Sequence, residues 1–212
     1  MRTDSLPTLD ARKRPRQARS QATVDTIFEA TIQVLLAEGL PRLTTIRVAE
    51  RAGVSVGTLY QYYPQKQALL FAVLQRHLEQ VARTVDEAAL SMHGATLAQM
   101  VRTIVTAFVK IKTQNLAESR ALYAVATELD SREYVQSIKQ RNRAALEAML
   151  RTASDARFAD ISTVTFMFAG VMIGPIQVLL EGEPTPEMLK LLPEQLVSVC
   201  LGYLEREALR PA

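Results

Sequence analysis

Residues 44–64 read TTIRVAERAGVSVGTLYQYYP, and their types and spacing suit the reading of a nucleic-acid groove. Thr45 can N-cap a short helix to Ala52, with Ile46, Ala49 and Ala52 on its inner face. Gly53 supplies a sharp turn, Val54 can plug the core beneath it, and Ser55 can N-cap a second short helix over residues 56–62. Short helix, glycine turn and short helix make a helix-turn-helix layout. A recognition helix has to enter a groove about 12 Å wide and present small or polar groups to base edges. Val56, Gly57 and Thr58 open the second helix with small side chains. Glycine in a helix costs ~1 kcal/mol relative to alanine, a cost explained if the backbone approaches DNA closely. Leu59 and Tyr63 lie four apart and can face inward, which leaves Tyr60, Gln61 and Tyr62 for phosphates or bases. Lys66 falls in the first turn of the following helix, where its ammonium can contact a phosphate.

Other chemistry is sparse. No G-x-S-x-G, H-E-x-x-H or phosphate-loop pattern occurs, so the chain is not expected to be an enzyme, and no metal or cofactor is expected. His77 and His93 are the only histidines and read as surface residues. Cys200 lies in an apolar helical stretch and reads as a small core residue. One cysteine excludes an intrachain disulfide framework and fits a reducing cytosol. No stretch has the basic flank, apolar core and cleavage site of a signal peptide.

The elements that have to position the 44–66 segment are all helical. The chain has 212 residues, 48% of them hydrophobic, with 8 glycines and 9 prolines. That is enough apolar material for a sizeable core and too few turn residues for an all-β chain. The net charge of +3 is concentrated at the start. Residues 1–20 carry Arg2, Arg12, Lys13, Arg14, Arg16 and Arg19 against Asp4 and Asp10, and the remainder is close to neutral. Residues 1–19 read as a disordered basic arm, either a solvated tail or a contact to a polyanion. Helix periodicity then begins, with Val24, Ile27, Phe28, Thr31 and Leu35 on one face, ending before Gly39.

After the short pair, a long helix is expected over 64–90, then helices over 95–113, 115–129, 130–153 and 158–180. Asp130 and Glu133 have the spacing of a capping box. Thr185-Pro186 reads as a cap followed by proline at the first helical position, and Pro193 as the restart of a final helix to about 208. The apolar run 164–180 includes Pro175 and is shorter than the ~20 residues of a membrane span. A helix buried in an oligomer explains it better, with Gly170 and Gly174 as a small face for close approach. No strand or internal repeat is evident.

Residues 44–70 resemble the TetR family of transcriptional regulators. The resemblance rests on Thr45, Val48-Ala49, Ala52-Gly53-Val54-Ser55, Gly57-Thr58-Leu59-Tyr60, Tyr62-Tyr63, Lys66 and Leu69. Tyr63 departs from the family's usual phenylalanine. The resemblance covers roughly the first third of the chain; beyond it the likeness is one of architecture. It implies an all-α, cytoplasmic homodimer, with a three-helix DNA-binding head at 20–66 and a ligand-binding, dimerising body at 67–212. It implies DNA contacts from Thr45, Ser55, Val56, Gly57, Thr58, Tyr60, Gln61, Tyr62 and Lys66. The last two long helices would pair with their mates in the dimer, placing Gly170, Ile173, Gly174, Leu196, Val199 and Tyr203 at the interface. A small-molecule effector, apolar or amphipathic, would sit among Met100, Ile104, Phe108, Leu122, Tyr123, Phe166 and Met167; a solid core would use the same residue types. The implied function is a repressor released by its effector from palindromic double-stranded operator DNA. An activator or a corepressor-dependent repressor of the same fold is the alternative, and a helical small-molecule-binding protein without specific DNA binding is a more distant one. No membrane association is implied.

Overall fold

The computed structural model describes residues 18–209. Among these it contains nine α-helices, one 3-10 turn and no strand beyond a single bridge between Phe158 and Ala208. The helices are α1 (Ala18–Glu38), α2 (Thr45–Ala52), α3 (Val56–Tyr62), α4 (Lys66–Ser91) and α5 (Leu97–Thr113), followed by α6 (Leu116–Glu128), α7 (Arg132–Leu150), α8 (Ile161–Glu181) and α9 (Pro186–Glu207). The 3-10 turn spans Leu40–Arg42. Residues 1–17, most of the expected basic arm, lie outside the described residues.

The chain divides into two compact units. One comprises residues up to His77 together with Arg120–Arg132, the other Leu78–Ser119 together with Glu133 onward. In the first unit, α1 buries Val24, Ile27, Phe28, Thr31 and Leu35, the face that its periodicity predicts. It packs against α2, which packs against α3. Phe28 meets Tyr63 with ring centroids 5.7 Å apart, and the Arg76 guanidinium lies 4.5 Å from the Phe28 centroid on its way to Asp25 at 3.1 Å. Tyr63 is buried in this cluster, and burial pushes its phenol up to about 12. The tyrosine ring therefore fills its place in the core.

In the second unit α5 carries a full capping box, Thr96 with Gln99, and packs against α9 and α8. Its start lies beside Glu205 and Ala208, and Arg102 reaches Glu194 at 2.8 Å, so α5 and α9 run in opposite directions. Arg141 on α7 bridges Glu79 and Asp86 of α4. Cys200 is fully buried, and desolvation pushes its thiol up to about 11, as expected for an inert core residue.

Three local expectations are corrected. Thr44 rather than Thr45 caps α2, accepting from the Arg47 amide. Asp130 forms no capping box; α7 starts at Arg132, and the Ser131 hydroxyl donates to the Ala126 carbonyl. Pro193 does not restart a helix, because α9 runs through it from a Thr185 cap with Pro186 at its first position.

Gly53 is one position where the backbone itself demands glycine. It sits at φ 65°, ψ 26°, and its amide and that of Val54 close the end of α2 onto Ala49 and Glu50. A Cβ there would meet nothing within 4 Å, so Gly53→Ala isolates the cost of left-handed backbone. It should destabilise the protein by ~1–2 kcal/mol, read as a lower thermal midpoint.

Candidate nucleic-acid interface

The second helix of the pair, α3, has only seven residues and is positioned entirely by its neighbours. The Ser55 hydroxyl accepts from the Thr58 amide at 3.0 Å and pairs with the Thr58 hydroxyl at 2.8 Å, which fixes the start of the helix. Leu59 is completely buried and Tyr63 nearly so, which fixes its rotation. Two hydroxyl pairs add lateral restraint. Tyr60 Oη lies 3.1 Å from Thr45 Oγ1 on α2, and Tyr62 Oη lies 2.9 Å from Ser20 Oγ on α1. What remains outward is Gly57, Tyr60 and Gln61, flanked by half-buried Val56 and Thr58 and by exposed Ser55.

These placements divide the candidate DNA-contacting residues. Ser55, Val56, Gly57, Thr58, Tyr60 and Gln61 lie together at the start and outer side of α3. Thr45 does not join them. It is 8% exposed, and its hydroxyl is engaged by Tyr60, so it locks α2 to α3. Tyr62 is half-buried, with its hydroxyl on α1. Lys66 is half-buried and donates to the Leu40 carbonyl at 2.8 Å, tying the start of α4 to the 3-10 turn. An ammonium has three donors, so two remain for another acceptor. Ile46 was expected on the inner face of α2 but is 54% exposed; Thr45, Val48 and Ala49 form that face instead. Thr45, Val48, Ala49 and Ala52 also have helical i, i+3, i+4, i+7 spacing, and packing against α1 and α3 selects that side as the inner one.

Gly57 stands apart from Gly53. Its φ is not positive, and an added Cβ would meet only Ser55 Oγ at 3.8 Å, an ordinary contact. Nothing among the described residues requires glycine there.

The candidate effector and dimer residues separate as well. Met100, Ile104 and Phe108 are buried on α5, Leu122 is buried on α6, and Tyr123 is half-buried. Phe166 and Met167, expected to line an interior cavity, are instead 58% and 43% exposed on the outer side of α8. They share that side with Gly170, Gly174 and Val178, while Val164, Phe168, Met172 and Ile176 form the core side. By length and composition α8 could cross a membrane, but its inner side is packed within the second unit. On α9, Met188, Leu191, Gln195, Val199 and Gly202 repeat every three or four residues as an exposed stripe. Val199 is exposed on this stripe, and Ile173 and Tyr203 are half-buried. Leu196 is 3% exposed and belongs to the chain's own core, which corrects its place in the expected interface.

Residues 27–73 match the family described as bacterial regulatory proteins, tetR family, and residues 96–204 match the tetracyclin repressor-like C-terminal domain. The chain is 39% identical over 79 residues to the HTH-type transcriptional repressor KstR of Mycolicibacterium smegmatis, covering 37% of this chain and 38% of that protein. It is 31% identical over 108 residues to the nucleoid occlusion factor SlmA of Haemophilus ducreyi, covering 50% and 52%. The chain thus aligns with between about a third and a half of the length of these curated relatives. Among solved structures, a putative TetR-family transcriptional regulator from Mesorhizobium loti superposes with a TM-score of 0.74 at 13% identity, covering 91% of this chain and 100% of that one. A transcriptional regulator from Rhodococcus sp. RHA1 gives 0.68 at 18% identity, covering 89% and 99%. The structures share the fold, and the two family matches together span both the helix-turn-helix and the helical body: the chain belongs to the TetR family of bacterial regulatory proteins.

Proposed function

We propose that this chain is a sequence-specific DNA-binding transcriptional regulator, a repressor that acts as a homodimer and is released from its operator by a small apolar or amphipathic effector. The observation that carries the DNA-binding reading is Gly57: a helical glycine, exposed at the start of α3, that no contact among the described residues requires. Removing the side chain lets the helix backbone come close to a groove, and Gln61 and Thr58 beside it supply hydrogen-bonding groups for base edges. Lys66, with two donors left, serves a phosphate and adds affinity without sequence information. The family relationship and the name of the KstR relative support repression.

Dimerisation is supported by the outer sides of α8 and α9. Phe166, Val178, Met188, Leu191 and Val199 are large apolar side chains left at least half exposed, and contiguous apolar surface of this kind marks an interaction site. Gly170 and Gly174 lie among them with open space where a Cβ would be, which permits a partner helix to approach closely. Residues 1–19 contribute electrostatic affinity in this reading, and the proposed division of labour is a DNA-binding head at 20–66 and a dimerising, effector-binding body at 67–212.

A twofold dimer presents two identical reading helices, so the preferred DNA is an inverted repeat. Selection of bound sequences from random duplexes with the purified protein should return such a repeat; a purely asymmetric single motif would contradict it. Gly57→Glu places bulk and negative charge at the groove. The variant should keep its helical content and lose specific binding, whereas parent-like binding to the selected sequence would remove α3 from the reading role. Gly170→Leu should weaken the dimer by ~1–3 kcal/mol in sedimentation and lower DNA affinity along with it, because the two heads lose joint engagement.

A further inference from the structure

The exposed stripes of α8 and α9 share a symmetry that a single chain has no use for. On α9 the stripe is centred on Gln195. Leu191 and Val199 lie four residues to either side of it, and Met188 and Gly202 lie seven to either side. At about 100° per residue, all five fall within about 40° of one line along the helix. On α8 the stripe is centred at the level of Met172, on the side opposite that buried residue. Gly170 and Gly174 lie two residues to either side of this level, and Phe166 and Val178 lie six. The two centres are neighbours. Only residues 182–185 join the helices, so α8 and α9 run antiparallel, and Pro175 and Leu179 share an apolar groove with Met188, Leu191 and Gln195. Met172 lies nine residues before the end of α8 and Gln195 nine after the start of α9, which sets the two levels side by side.

A twofold axis crossing both helices here at right angles lays each on an antiparallel copy of itself. A residue a given number of positions before the centre then faces the residue the same number after it. Leu191 meets Val199 of the second copy, Met188 meets the open space over Gly202, the glycines of α8 meet each other, and Phe166 meets Val178. All of these pairings are apolar. The ends match in charge as well: the last turn of one α9 carries Arg206 and lies against the first turn of the other, which carries Glu187. A parallel arrangement would instead set Arg206 on Arg206 and Glu187 on Glu187, like charge on like. Gln195 alone in the stripe faces itself. A carboxamide both donates and accepts, so two of them face to face form a reciprocal pair of hydrogen bonds, which two like charges could not. A single polar residue in an apolar seam costs stability and fixes register.

We propose that a second copy docks antiparallel on α8 and α9 about an axis through the levels of Met172 and Gln195, and that Gln195, paired with itself, sets the register of the dimer. This rests on the reading of these helix sides as the dimer surface.

The test introduces charge at positions exposed in the single chain, using the full-length protein. Differently tagged variants are coexpressed, so that a protomer that folds only with its mate is also recovered. Gln195→Glu and Gln195→Lys should each weaken self-association about tenfold or more in sedimentation, because like charges meet on the axis. Together they should form the mixed dimer in clear excess over random pairing, read by native mass spectrometry. Leu191→Glu should be rescued by Val199→Lys and not by Leu191→Lys; the reverse would overturn the antiparallel register. If Gln195→Glu and Gln195→Lys associate as the parent does, or if the mixed dimer forms only in random proportion, the self-pairing of Gln195 is overturned and the dimer reading stands. If the parent chain sediments as a monomer even at high concentration, the dimer reading is overturned, and the role of Gln195 with it.

Discussion

The seven-residue helix α3 cannot hold itself together, and the geometry of the proposed reading surface depends on what it buries. Two turns of helix are marginal in water whatever their sequence. Complete burial of Leu59 and near-complete burial of Tyr63 each offer ~1.5–3 kcal/mol, enough to outweigh the cost of nucleating so short a helix. Because these two side chains fix the rotation of α3 against α1 and α2, they also decide which residues face outward. The hydroxyl pairs Tyr60–Thr45 and Tyr62–Ser20 then tether the helix to both neighbours. Lys66 acts at the next joint, where it holds the Leu40 carbonyl at the start of α4. The outward position of Gly57 and Gln61 follows from these internal contacts.

The glycines sort by what requires them. Gly39, Gly53 and Gly94 occupy positive φ, and their service is to the backbone of this chain. Gly57, Gly170, Gly174 and Gly202 lie in helices at ordinary φ, and a Cβ on any of them would meet nothing closer than 3.8 Å. A helical glycine costs stability without helping the chain's own packing. Its benefit has to come from something outside the chain, and the four fall on the two surfaces where a partner is proposed: the groove-facing side of α3 and the outer sides of α8 and α9.

Much of the fold was legible in the sequence because helical periodicity is a direct imprint of burial. The face Val24–Leu35 on α1, the arc Leu97–Phe108 on α5, the Ser55 and Thr185 caps and the end of α1 at Gly39 all fall where spacing and cap chemistry place them. What escaped was set by tertiary contacts. Thr44 and Thr45 are chemically equivalent as caps, and the choice between them rests on Thr45 meeting Tyr60 fifteen residues later. Pro193 is tolerated inside α9, although proline commonly marks a restart. Phe166 and Met167 have the composition of an interior but lie outside, since a helix that is apolar all round does not say which of its sides faces its own chain.

The most direct test of the central claim is the ratio of affinities of the purified full-length protein for its selected duplex and for a scrambled duplex of equal length, measured at physiological salt. A groove-reading dimer should favour the selected sequence by ~10³ or more. A ratio near one, with affinity for both duplexes falling equally steeply as salt is raised, would mean that charge alone holds the protein on DNA, and would contradict the reading role of α3.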